Sequence, residues 1–199
     1  MSAPIEFWYE FASTYSYVAM ERVARSAHAF QHRPFLLGPV FAAQGLKDSP
    51  FNVYPIKGRY MWRDMGRLCA ELDVPFEQPS VFPRGSLLAT RVAVASAAAE
   101  QQGLVHEFSR RVYRANFAED RAIGEASVVA EILSELGHDA QEWLARAGTP
   151  EVKEALKAQT AQAQELGIFG APSFVVGDEL FWGSDRMDQA VAWSGRAHE

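Results

Sequence analysis

The stretch Ile5–Tyr17, IEFWYEFASTYSY, decides the fold. Its apolar, aromatic-rich start, Ile5–Tyr9, reads as a strand. Small hydroxylated residues come next, and a helical pattern follows from about Thr14, with Met20, Val23, Ala24 and Ala27 at helical spacing. This is the outline of a strand delivering its chain to the start of a helix, with Ser13 at the junction. Helix starts carry unpaired N–H groups and partial positive charge, so they favour anions. A cysteine at that point would be an acidic, reactive thiol. A serine there cannot do redox chemistry, but it can hydrogen-bond a thiolate that another molecule brings.

The chain has 199 residues, 48% of them hydrophobic, enough for one domain or for one domain with a sizeable insertion. A net charge of −6 argues against a nucleic-acid face. Arg110, Arg111 and Arg114 are interleaved with acids and read as a solvated helix side. The start, MSAPIEFWYEF, has no basic region leading into a long apolar stretch, so no signal peptide is expected. The longest weakly polar piece, VAVASAAA, is too short and too alanine-rich to span a membrane. Cys69 is the only cysteine, which excludes an internal disulfide and a Cys-x-x-Cys motif; a cytoplasmic protein is the natural expectation. Cys69 falls on an apolar face beside Leu68 and Leu72, as a buried structural thiol would. His28, His32, His106, His138 and His198 show no metal-ligand spacing, so no metal site is expected.

Working outward, Pro34 precedes a second apolar run, Phe35–Phe41 (FLLGPVF), read as a strand parallel to the first with the helix as crossover. Residues Asp48–Gly58 read as a loop rich in Pro, Asn and Gly. A helical block follows, its faces marked by Met61, Met65, Leu68 and Leu72; by Leu88, Val92 and Ala95; by Val105, Phe108 and Val112; and by Val128, Val129, Ile132, Leu133 and Leu136. Thr149-Pro150 starts a further helix and Gly167 stops it. Ser173–Val176 and Glu179–Trp182 flank Gly177-Asp178 as a hairpin, and a last helix runs from about Asp185. The order βαβ, helices, ββα predicts one sheet built from both ends of the chain.

This order resembles the thioredoxin-like fold with an inserted all-helical domain, an α/β architecture found in the bacterial disulfide-oxidoreductase superfamily. Within it the chain is similar to the cysteine-free branch, the 2-hydroxychromene-2-carboxylate isomerases and kappa-class glutathione transferases. The resemblance is carried by FASTYSY (Phe11–Tyr17), NVYPIKGRYMWRDMGR (Asn52–Arg67), FGAPSF (Phe169–Phe174) and FWGSDRM (Phe181–Met187). It implies a discontinuous thioredoxin-like domain, 1–45 and 168–199, around a helical domain, 46–167.

The resemblance also assigns roles. Ser13 would be the catalytic residue, hydrogen-bonding the sulfur of glutathione and favouring its thiolate; a plain N-cap is the other reading. The residue after this serine is commonly proline in the family and is Thr14 here, whose hydroxyl could take over part of the capping or compete for the sulfur. Ala171-Pro172 would be cis, turning the Ala171 backbone toward the cofactor, where a trans proline opening a strand is the ordinary alternative. Gly183, Ser184 and Asp185 would hold the γ-glutamyl end, Ser184 its carboxylate and Asp185 its ammonium; a simple helix cap is compatible with this. Asn52 would contact glutathione, and Asn52, Val53 and Lys57 a substrate carboxylate, although Lys57 also fits a solvated lysine. Asp64 and Arg67 are expected to stabilise their helix. Aromatics near Ser13 could line a pocket for a small aromatic substrate.

The implied activity is glutathione-dependent cis–trans isomerisation between 2-hydroxychromene-2-carboxylate and trans-o-hydroxybenzylidenepyruvate-like compounds, a step in bacterial breakdown of naphthalene-like aromatics. A kappa-like transferase or peroxidase on another electrophile, and a redox-inactive thioredoxin-like binding module, are the alternatives. A homodimer is compatible with the resemblance.

Overall fold

The computed structural model describes residues 3–196; His198 lies outside them. Strand β1 (Ile5–Tyr9) is the centre of a four-stranded sheet. It runs parallel to β2 (Phe30–Pro34) in the register Ile5↔Phe30 to Tyr9↔Pro34, and antiparallel to β3 (Ser173–Val176), where Phe7 faces Phe174. The hairpin partner β4 (Glu179–Trp182) completes the order β2-β1-β3-β4. Helix α1 (Thr14–Val23) is the crossover between the parallel pair. The two ends of the chain therefore do join into one sheet.

A strand covered on both faces should read as an unbroken apolar run, and β1 does: Phe7, Trp8 and Tyr9 are fully buried. Phe7 and Tyr9 belong to the larger core under α1 and the helical block, with Phe7 stacked 5.2 Å from Phe174. Trp8 points to the opposite face, into a smaller core with Phe35, Val40, Ile168 and Val175.

The second strand is not where the apolar run suggested. It is Phe30–Pro34, and the run Phe35–Phe41 leaves the sheet and enters α2 (Leu37–Ala43). Strand β2 pairs only with β1, so its residues alternate between buried His32 and Pro34 and exposed Gln31, a polar pattern that hides a strand. Pro39 sits in the first turn of α2, where a missing N–H costs nothing. The same effect corrects the expected loop at Asp48–Gly58. Ser49 caps α3 (Pro50–Val53), and Pro55 opens α4 (Pro55–Glu71), so both prolines are first-turn residues rather than breakers. Gly58 is required there, because a Cβ would strike the carbonyl of Phe51.

Met61, Met65 and Cys69 form the buried stripe of α4. Helix α5 (Leu87–Ala98) is buried almost all round and lies against α6 (Gln102–Phe117), α8 (Ala140–Ala147) and α9 (Pro150–Glu165). Helix α7 (Ala126–Glu135) packs beside α8, and α10 (Met187–Ser194) closes the chain after a single 3₁₀ turn at Ser184–Arg186. Helix α8 escaped the sequence pattern because its eight residues carry only two inward positions, Trp143 and Ala147, behind the Asp139 cap. Thr149 caps α9 and Gly167, at φ +74°, follows its end, as read. The arginines of α6 are not a free solvated side: Arg110 and Arg114 both clamp Glu21 of α1, a carboxylate with no exposed surface, at 2.9 Å each, and Arg111 pairs with Glu119 and Glu135.

Candidate functional site

The chain leaves β1, turns through Glu10–Ala12 and enters α1 at Ser13. Ser13 is the cap: its extended backbone (φ −79°, ψ 116°) lets Oγ accept the N–H of Ser16 at 3.3 Å. The same hydroxyl donates to the carbonyl of Ala171 at 2.9 Å, 158 residues away in sequence. The Ala171-Pro172 bond is cis, as expected, and the carbonyl of Pro172 accepts the N–H of Gly183 at 3.0 Å. Gly183 has φ +115°, and a Cβ there would come within 2.5 Å of Asp185 Oδ1. Ser184 is buried beneath it, its carbonyl held by Arg22 at 2.6 Å, while Asp185 is exposed, 3.4 Å from Arg186.

Ser13, Ala171, Pro172, Gly183, Ser184, Asp185 and Lys57 line one cavity of about 1140 Å³. Asn52 and Val53 are not brought to it. Pro50 and Phe51 occupy the inward side of the single turn of α3; Asn52 on the outer side donates to the Asp48 carboxylate (3.1 Å) and to the Phe82 carbonyl (3.3 Å), and Val53 is exposed. Lys57 Nζ lies 4.8 Å from the centre of the Tyr54 ring. The Thr14 hydroxyl does not cap the helix: it is buried and donates to Met61 Sδ at 3.1 Å. In place of proline it does provide a backbone N–H at the first helical position, where no intrahelical acceptor exists.

Much of the wall is aromatic: Tyr15, Phe41, Phe51, Phe82, Phe169 and Trp182. Tyr15 donates to Asp64 Oδ2 at 3.1 Å, and burial together with that carboxylate raises its phenol above the ordinary value, so it stays protonated. Asp64 in turn pairs with Arg67 at 3.0 Å, as expected of a helix-stabilising pair.

Sequence reasoning passed over Glu10 and Ser86. Glu10 is 6% exposed on the cavity wall; its Oε2 accepts the N–H of Ala12 at 3.0 Å and its Oε1 meets the Ser86 hydroxyl. Its carbonyl accepts the N–H of Ser13 (3.0 Å) and the phenol of Tyr113 (2.9 Å). Burial lifts the Glu10 carboxyl to about 7, against the pull of the Ser86 and Ala12 donors. The only local signal was an acid ending an apolar strand three residues before a helix cap.

Cys69 plays no part in the cavity; burial pushes its thiol up to about 12, which keeps it as S–H. Among the described residues no group of three or more His, Cys, Asp or Glu could hold a metal ion, and no helix is long and apolar enough to cross a membrane.

Comparison with known proteins gives a consistent picture. The family model of the DSBA-like thioredoxin domain matches residues 4–192. Glutathione S-transferase kappa 1 of Homo sapiens is 29% identical, over 92% of this chain and 87% of its own. The 2-hydroxychromene-2-carboxylate isomerase of Sphingobium xenophagum is 25% identical, over 94% of this chain and 96% of its own. A solved 2-hydroxychromene-2-carboxylate isomerase structure shares the fold with a TM-score of 0.85 at 24% identity, covering 96% of this chain and 94% of that one.

Proposed function

We propose that this chain, which belongs to the DSBA-like thioredoxin family, is a glutathione-dependent isomerase interconverting 2-hydroxychromene-2-carboxylate and trans-o-hydroxybenzylidenepyruvate-like aromatic compounds. The observation that carries the reading is a hydroxyl where disulfide chemistry needs a thiol: Ser13, at the start of α1, faces Ala171-Pro172 and the Gly183–Asp185 turn across one cavity.

The donor set suits glutathione. Ser13 Oγ–H and the free N–H groups of Thr14 and Tyr15 converge on the α1 N-terminus, where a thiolate is favoured. The Ala171 backbone would pair with the peptide, Ser184 with the γ-glutamyl carboxylate and Asp185 with its ammonium. Gly183 leaves room that any Cβ would fill. Glutathione held there supplies a thiol nucleophile that is returned unchanged, so it acts as cofactor rather than reactant. Tyr15, Phe51 and Phe82 supply the apolar wall for an aromatic ring, with Lys57 as the cation for a substrate carboxylate. Asn52 is assigned instead to holding Asp48 in place. Segment 46–167 thus furnishes the substrate side and the two chain ends the glutathione side. A lone, buried cysteine suits a reducing compartment, the cytoplasm.

Kappa-class relatives are as similar to this chain as the isomerases are, which favours a glutathione transferase or peroxidase as the second reading. One experiment separates the two: a chromene carboxylate mixed with the protein and substoichiometric glutathione. Isomerisation with no loss of thiol supports the first reading; stoichiometric loss of thiol supports the second. A calorimetric titration without glutathione binding would exclude both.

A further inference from the structure

A thiolate forming beside Ser13 must leave its proton somewhere. Ser13 cannot take it, because its oxygen already accepts from Ser16 and its hydrogen is the donor the sulfur needs. Among the described residues no histidine lines the cavity, and the Tyr15 phenol is itself protonated. Four acids line it: Glu10, Asp48, Asp64 and Asp185. Asp64 is paired with Arg67, Asp185 with Arg186, and Asp48 holds Asn52. Glu10 is the one that is more than nine-tenths buried, and among the described residues it has no ion-pair partner. Arg84, which also lines the cavity, is committed to Asp120 and Asn116.

Resting on the glutathione reading above, we infer that Glu10 is the proton acceptor for the thiol of glutathione. As the S–H bond breaks, the electron pair stays on sulfur and an O–H bond forms on the Glu10 carboxylate, so glutathione loses the proton that the protein gains and the complex as a whole releases none to solvent. Glu10 is joined to the Ser13 turn through Ala12 N–H and to the opposite loop through Ser86 Oγ, which holds the carboxyl at the wall in both charge states. The groups bonded to it are neutral: the Ser86 hydroxyl and the Ala12 N–H on its carboxyl, and the Tyr113 phenol from α6, raised by burial, on its backbone carbonyl. With no cation to stabilise its anion, Glu10 takes up a proton readily when a second negative charge enters the same buried wall. Its own value of about 7 places that exchange in the neutral range.

The test counts protons. Glutathione binding is measured by calorimetry at about pH 8 in two buffers of different ionisation enthalpy, with ultraviolet absorbance reporting the bound thiolate. The wild type is expected to show the thiolate with almost no proton released. Glu10→Gln keeps both hydrogen bonds, accepting from Ala12 and donating to Ser86, but it should release about one proton per thiolate formed. Equal release in the two proteins overturns the inference. In the wild type alone, a protonated-carboxyl stretch must appear in the infrared difference spectrum on adding glutathione, and its absence overturns the inference even if the variant does not fold. Glutathione bound as thiol removes the role of Glu10 while leaving the binding site standing; no binding at all removes the glutathione reading and this one with it.

Discussion

Replacing Glu10 with glutamine should change how stability depends on pH, independently of any ligand. Burial places the folded carboxyl at about 7, against an ordinary 4.5 in the unfolded chain. Between those limits the folded state keeps a proton that the unfolded state gives up, so this residue's contribution to stability is full below pH 4.5 and is lost as pH rises through about 7. The gap corresponds to about 3 kcal/mol. His32 works in the other direction: burial and neighbouring His106 lower it from 6.5 to about 3, so its contribution is present above 6.5 and lost as pH falls toward 3. The two slopes oppose each other in the wild type, which makes the raw profile uninformative. Urea unfolding of both proteins from about pH 4 to pH 8 isolates Glu10, because the His32 contribution cancels in the difference. The variant should gain about 3 kcal/mol on the wild type across that range. Parallel profiles would show that Glu10 titrates like a solvated carboxyl, and would refute the burial argument.

Ser13→Ala removes both the helix cap and the bond to Ala171; it should cost about 1 kcal/mol in chemical unfolding and move the thiolate absorbance of bound glutathione to higher pH, and an unshifted titration would count against its assigned role. Gly183→Ala forces a Cβ onto Asp185 and strains a backbone at φ +115°, so calorimetry should find glutathione affinity reduced about tenfold or more, a loss of roughly 1.4 kcal/mol, with the thiolate pH profile of the remaining complex unchanged. Glu21→Ala leaves Arg110 and Arg114 facing a buried gap between α1 and α6; because both arginines are about one-third exposed and regain water, the expected loss in urea unfolding is about 3 kcal/mol, the low end for a broken buried pair.

The features legible in the sequence were those written in neighbouring residues. Ile5–Tyr9 announced a doubly covered strand by its unbroken apolar run, Thr149-Pro150 and Gly167 marked the ends of α9, and Gly177-Asp178 the hairpin. Strand β2 was missed because an edge strand needs few apolar residues, and FLLGPVF drew attention to the stretch beyond it. Pro50 and Pro55 misled because proline both interrupts helices and opens them; only the cap before it decides, and Tyr54 offers no side-chain bond. The gathering of Ser13, Ala171, Pro172 and Ser184 around one cavity was readable from motifs. The position of Asn52 was not, since one turn of α3 separates inward from outward. Glu10 was invisible for a different reason: its meaning depends on Ser86, 76 residues away, and on the walls that exclude water from both.

The bond from Ser13 to the Ala171 carbonyl has a further consequence. A resting hydroxyl that is already satisfied gains nothing from a neutral replacement. A ligand atom displaces the carbonyl only by being a better acceptor, and hydrogen bonds to charged acceptors are about twice as strong as neutral ones. An alcohol or an un-ionised thiol would exchange one ordinary bond for another, whereas a thiolate would not. The protein thus carries an internal reference acceptor against which every incoming atom is compared, and the comparison selects for charge before shape is consulted.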